Sequence, residues 1–181
     1  GYGTWTLGAH HADRVAGLAA SAGAPTPVFG PDGKVVEIVD GVVPSLRNVP
    51  FVVYQSLDDP NVPPIANQAA ARAVTAAREK WGGYEAFEYW EVNGRGHGEP
   101  PGGFAALLAK IADRRRVAAP AKIVWQPVLP WKRRFYWLHW PEPKMGATVV
   151  AEADRAANAI RLRRDDNLAG IEVLLDARLV D

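Results

Sequence analysis

Residues 49–64 read VPFVVYQSLDDPNVPP. The first half, VPFVVYQS, is a short run of apolar and β-branched residues with little polar alternation. Such a run suits a strand buried on both faces, as strands of parallel sheets are. The second half, LDDPNVPP, carries two acids and three prolines, so it stops the strand and forms a loop. Downstream, ANQAAARAVTAAREKW (66–81) is alanine-rich with a polar stripe and predicts a helix that Gly82 and Gly83 terminate. YEAFEYWEV (84–92) alternates polar and aromatic residues and predicts a strand. NGRGHGEPPGG (93–103) cannot continue that strand, and FAALLAKIADRRR (104–116) has the pattern of an amphipathic helix. The order is strand, loop, helix, strand, loop, helix. This is the pattern of a parallel α/β sheet, whose functional groups gather in loops past the C-terminal ends of the strands.

The same pattern extends upstream. GYGTWTLGAHHADR (1–14) reads as a glycine-rich turn running into a helix from about Thr4 to His11. AGLAASAGAP (16–25) then suits a buried strand entering a loop, and 26–48, with the turn signal PDGK, predicts a loop or short hairpin. The character changes at VAAPAK (117–122). Beyond it KIVWQPVL, RFYWLHW, ATVVAEA, NAIRLRR and IEVLLDARL are short, β-prone and separated by turn residues. The expected organisation is an α/β unit over 1–117 and a small β-rich unit, a sandwich or sheet, over 118–181. That second unit ends at Asp181 directly after a strand-like run, as an unfinished one would.

Composition narrows the function classes. Net charge is +1, with 48% hydrophobic and 23% charged residues, which is a globular balance with no field that favours nucleic acid or an anionic membrane. The cluster Arg114, Arg115, Arg116 falls at the end of the last predicted helix, where cations complement the dipole. With no cysteine, disulfides, thiolate nucleophiles and zinc–thiolate sites are excluded, and no compartment is decided. No apolar run approaches the roughly 20 residues of a membrane span. No cofactor or metal is expected. GYGTWTLG places Thr6 where a dinucleotide loop needs its third glycine. His10 and His11, on adjacent helical positions about 100° apart, chelate poorly even with Asp13 nearby.

Two loops carry chemistry. Asp58 and Asp59 lie just past the buried strand, held by proline-rich turns, and either could orient a neighbour. His97 stands among Gly94, Gly96 and Gly98, which permit close backbone approach, and its imidazole can exchange a proton near neutral pH. One helix and one strand separate the loops, so they should be neighbours at one edge of the sheet. An acid followed by a histidine, after successive strands, is the closing part of a nucleophile–acid–histidine triad in the order Ser…Asp…His. The serines in the chain are Ser21, Ser45 and Ser56, and none sits in Gly-x-Ser-x-Gly.

On these residues the chain resembles α/β-hydrolases of the prolyl-oligopeptidase and dienelactone-hydrolase type. Gly1-Tyr2-Gly3 is similar to the end of an elbow reading Gly-x-Ser-x-Gly-Gly-Tyr-Gly, and the resemblance runs on through VVYQSLDDPNVPP and GRGHGEP to about residue 117. It implies that the chain is the C-terminal part of an α/β-hydrolase sheet with flanking helices, and that 118–181 is an accessory segment. It implies Asp59, which precedes x-x-Val-Pro, as the acid in preference to Asp58, and His97 as the base. The serine would lie three residues before Gly1, on an elbow strand that also lies upstream. The substrate would be a small ester or a peptide. A peptidase is expected first and an esterase of plant-polysaccharide acyl groups second. The 181-residue chain alone would be inactive.

An alternative of another class rests on Trp125, Trp131, Trp137 and Trp140. Exposed and coplanar, they would make a non-catalytic module that binds carbohydrate or protein. Buried, they would be a core, or a face packed on the α/β unit.

Overall fold

The structure is a computed structural model that describes residues 1–163 and 165–180, and of Asp166 the backbone only. Arg164 and Asp181, which the sequence reading places in the β-rich unit, lie outside the described residues.

A three-stranded parallel sheet organises the first part of the chain. Helix α1 (Tyr2–His10) leads into β1 (Leu18–Ser21), a hairpin of β2 (Pro27–Phe29) and β3 (Val35–Ile38) follows, and β4 (Phe51–Ser56) comes next. Helix α2 (Ile65–Trp81), β5 (Phe87–Val92) and helix α3 (Gly103–Ala109) complete the unit. The sheet order is β1-β4-β5, with Ala20 opposite Val53 and Val53 opposite Tyr89. The apolar run of β4 makes it the central strand, buried at every residue. Phe51 and Val53 face one core with Trp5, Ala70 and Val74, whereas Val52 and Tyr54 face another with Leu107 of α3. The period-2 alternation of a strand therefore places helices on both faces of the sheet. Gly82, at φ 67°, ends α2 as its sequence predicts.

Trp5 fixes the start of the chain against the sheet. Its ring lies 4.5 Å from that of Phe51 in an edge-to-face arrangement, and its Nε1–H donates to the Gly23 carbonyl at 3.2 Å. A Cβ at Gly23 would stand 2.1 Å from the Gly1 Cα. Only glycine allows the first turn of α1 to close against the exit of β1.

The α3 segment differs from its expectation. The helix stops at Ala109, because the Lys110 and Ile111 N–H groups turn to the i−3 carbonyls of Leu107 and Leu108. Arg114, Arg115 and Arg116 therefore lie beyond the helix and do not cap its dipole. Arg116 instead donates to the Asp13 carbonyl.

The remaining residues form two small antiparallel sheets. β6 (Lys122–Trp125), β9 (Val149–Asp154) and β10 (Ala159–Leu162) pair in the order β10-β9-β6. β7 (Arg134–Phe135), β8 (Leu138–His139) and β11 (Glu172–Val173) pair in the order β11-β8-β7. The strand expected over IEVLLDARL is only two residues long, since the backbone from Asp176 turns back on itself and Leu179 enters the core. Tyr136, at φ 53°, makes the tight turn that breaks RFYWLHW into β7 and β8.

This β-rich segment shares one continuous apolar core with the parallel sheet, from Trp5 through Phe51 and Ile123 to Leu179. Trp125, Trp137 and Trp140 lie inside that core, and only Trp131, 63% exposed, faces solvent. The four tryptophans form no stacking platform. Polar links join the two parts as well. Lys132 Nζ meets Asp13 Oδ1 at 2.7 Å in a buried ion pair, the Tyr136 hydroxyl donates to the Ala12 carbonyl at 3.0 Å, and Asn48 Nδ2 donates to the Lys122 carbonyl at 2.9 Å.

Candidate functional site

The loops after β4 and β5 meet at the C-terminal end of the sheet, because the two strands are parallel neighbours. Asp59 and His97, 38 residues apart in sequence, are brought into contact there. His97 Nδ1 lies 2.9 Å from Asp59 Oδ2 and 3.0 Å from Oδ1. An ionised carboxylate can only accept, so Nδ1 carries a proton, and in the neutral imidazole Nε2 carries the lone pair. The His97 side chain is 44% exposed and Nε2 has no hydrogen-bond partner among the described residues, whereas the Asp59 side chain is fully buried.

Backbone and side-chain hydrogen bonds hold the acid loop. The Asn61 and Val62 N–H groups each donate to Asp59 Oδ1 at 2.9 Å. Behind them the buried Gln55 amide donates to the Ser56 and Val62 carbonyls, and Asn67 Nδ2 of α2 donates to Gln55 Oε1 at 2.6 Å. Burial by itself would raise the Asp59 carboxyl. The Val62 N–H, His97 and the Asn61 N–H outweigh it and hold the group below its ordinary value.

Asp58 does not touch the imidazole. Its Oδ1 accepts from the Ser56 hydroxyl and from the Gly94, Arg95 and Gly96 N–H groups, at 3.0, 3.2 and 3.1 Å. The Ser56 hydroxyl, opposed by desolvation and joined by the backbone N–H donors, brings this carboxyl down to about 2. Tyr54 adds a further tie, its hydroxyl donating to the Glu99 carbonyl at 3.2 Å. The sequence points to His97 and to Asp58 or Asp59, and the family resemblance implies Asp59. Neither finds the roles of Ser56, Gln55 and Asn67, whose signal is only that polar side chains end a strand or stand on a helix otherwise built to be buried.

His97 lines a cleft of about 520 Å³ with Gly1, Ser21, Ala22, Glu99, Phe104 and Leu108. Gly1 thus stands at the same cleft as the imidazole. Of the serines, Ser21 borders this cleft, Ser56 is committed to Asp58 and to the Arg95 N–H, and Ser45 is buried beneath the Gln126 N–H. His10, His11 and Asp13 do not converge, since Lys132 takes the Asp13 carboxylate. Among the described residues no group of three or more His, Cys, Asp or Glu is arranged to hold a metal ion, and no helix is long and apolar enough to cross a membrane.

The two aspartates make stability depend on acid. A carboxyl whose value is lower in the folded than in the unfolded chain stabilises fully above the ordinary carboxyl range, about 3.9, and loses that contribution as pH falls through the folded value. For Asp58 that window closes at about 2. Their contribution to the melting temperature should therefore hold from pH 7 to about 5 and decline below about 4. Asp58→Asn should flatten that fall. An acid limb unchanged by this substitution would show that the loop contacts are not made in solution.

Comparison of the chain with protein-family models, with curated proteins and with solved structures finds no match in any of the three.

Proposed function

We propose that this chain supplies the general base, His97, and its orienting acid, Asp59, to a serine hydrolase of the α/β-hydrolase fold. The fold and activity would be similar to those of the prolyl-oligopeptidase and dienelactone-hydrolase type, with an ester or a peptide as substrate. The observation that carries this reading is the buried Asp59 carboxylate held 2.9 Å from Nδ1 of a half-exposed imidazole. Two further features support it. The pair stands past the C-terminal ends of parallel strands, where α/β enzymes assemble their sites. Gly1 borders the same cleft, so a residue a few positions upstream can reach His97.

In this reading the serine Oγ attacks the substrate carbonyl carbon, and His97 Nε2 takes the hydroxyl proton. The proton then passes to the departing alcohol or amine as its bond to the carbonyl carbon breaks. Water repeats the sequence in reverse and releases the acid. Asp59 keeps the proton on Nδ1 and stabilises the imidazolium that forms between the steps. The nucleophile, and the backbone N–H after it that would hold the oxyanion, belong to residues before Gly1.

The coding sequence upstream of Gly1 should read Gly-x-Ser-x-Gly. The protein extended by it should hydrolyse p-nitrophenyl esters, and the 181-residue chain should not exceed background. Ester hydrolysis by the extended protein that survives His97→Ala would overturn the assignment.

A further inference from the structure

Asp58 differs from an ordinary turn acid in what it binds. Asx turns close on N–H groups two residues away. The Asp58 Oδ1 reaches the Gly94, Arg95 and Gly96 N–H groups, 36 to 38 residues away. Gly94 and Gly96 have φ of 77° and 52°, and this left-handed backbone turns three successive N–H groups toward one oxygen. Such a concavity is an anion nest, of the kind that elsewhere holds phosphate. Here a side chain of the same protein fills it. Ser56, the last residue of the central strand, completes the arrangement: its hydroxyl donates to Asp58 and accepts from the Arg95 N–H at 3.1 Å.

From this geometry we infer that Asp58 is a positioning residue, which sets the height and angle of the His97 ring by clamping the glycine-rich backbone that precedes it. The functional meaning of the clamp rests on the hydrolase reading. Its structural content does not.

A loop of glycines has many accessible conformations, and nothing in its own sequence selects one. His97 follows Gly96 directly, so a loop free to move would carry the imidazole out of reach of Asp59. The dipeptide Asp58-Asp59 therefore holds the histidine twice, through the Gly96 N–H that precedes it and by its ring. Because one oxygen accepts all four donors, an asparagine whose carbonyl takes that place keeps the shape but loses the charge-assisted part of the bonds.

The test uses the 181-residue chain and reads no activity, so it can fail independently of the hydrolase proposal. Two signals are measured by NMR in the parent, Asp58→Asn and Asp58→Ala. One is the downfield proton on His97 Nδ1, and the other is the hydrogen exchange of the Gly94, Arg95 and Gly96 amides. The expected order is parent, then Asn, then Ala. In Asp58→Ala these amides should exchange about tenfold or more faster, as loss of a charge-assisted hydrogen bond implies. The Nδ1 proton should broaden away, while exchange of the β4 amides should rise by a smaller factor than that of the loop amides. Asp58→Asn should retain the Nδ1 proton with intermediate exchange. If Asp58→Ala leaves the Nδ1 proton sharp and exchange unchanged, or if Asn behaves no better than Ala, the proposal is wrong. If Asp58→Ala speeds exchange of the β4 amides by as large a factor as that of the loop amides, the residue is a general stabiliser and the proposal is equally overturned.

Discussion

Asp59→Asn should lower kcat for ester hydrolysis by about 10⁴-fold in the protein carrying the upstream nucleophile, with KM little changed. The buried carboxylate accepts from His97 Nδ1 and from the Asn61 and Val62 N–H groups, all at 2.9 Å. An asparagine can keep the two backbone bonds through its carbonyl oxygen. Its NH2 group would then face Nδ1 and donate to it, which moves the ring proton to Nε2. The imidazole would meet the serine as a donor and could not take its proton. The loss should therefore fall on kcat, since no contact with the substrate is removed. The folded state should survive, because shape and loop bonds persist. A variant within tenfold of the parent would show that Asp59 has no part in orienting the base.

The second large effect is on stability. Lys132→Met should cost about 3 kcal/mol, and lower the melting temperature by about 6–12 °C in a chain of this length. Lys132 and Asp13 have side chains only 10% and 7% exposed and lie 2.7 Å apart. Removing the ammonium leaves the carboxylate buried, with Arg14 Nε at 3.5 Å as its remaining cation among the described residues, on a side chain that is largely in solvent. The pair also joins α/β unit to β-rich segment across 119 residues of chain, so its loss loosens their contact. Replacing both groups, as in Asp13→Leu with Lys132→Met, should recover most of the stability, since a well-packed apolar pair avoids the desolvation cost. Urea melts of the three proteins decide the matter. A single variant within about 0.5 kcal/mol of the parent would mean that the pair contributes nothing.

These two predictions come from different depths of the chain's information. The strands β1, β4 and β5 and the helix α2 are legible because local patterns decide them: an unbroken apolar run, an alanine-rich stripe ended by Gly82, an alternation of aromatic and polar residues. Their order along the chain then places the loops after β4 and β5 side by side, and so brings Asp59 near His97. What is not legible depends on partners far away in sequence. The pattern of 104–116 is helical throughout, yet turns replace the helix beyond Ala109. IEVLLDARL has strand composition, yet only Glu172 and Val173 find a partner strand. Asp13 stands in the sequence only as a neighbour of two poorly chelating histidines, yet it is buried in an ion pair, because Lys132 reaches it from the β-rich segment. Asp58 reads as a rival to Asp59, and its actual partners are backbone amides, which every residue but proline carries and no side-chain pattern marks.

The central claim is that His97 serves as base to a serine upstream of Gly1. It is tested most directly by treating the protein extended upstream of Gly1 with diisopropyl fluorophosphate and locating the adduct by peptide mass spectrometry. One phosphorylated serine is expected, three residues before Gly1, formed at least about 10²-fold more slowly in His97→Ala because a general base is lost. No adduct, an adduct on Ser21, Ser45 or Ser56, or labelling indifferent to His97 would contradict it.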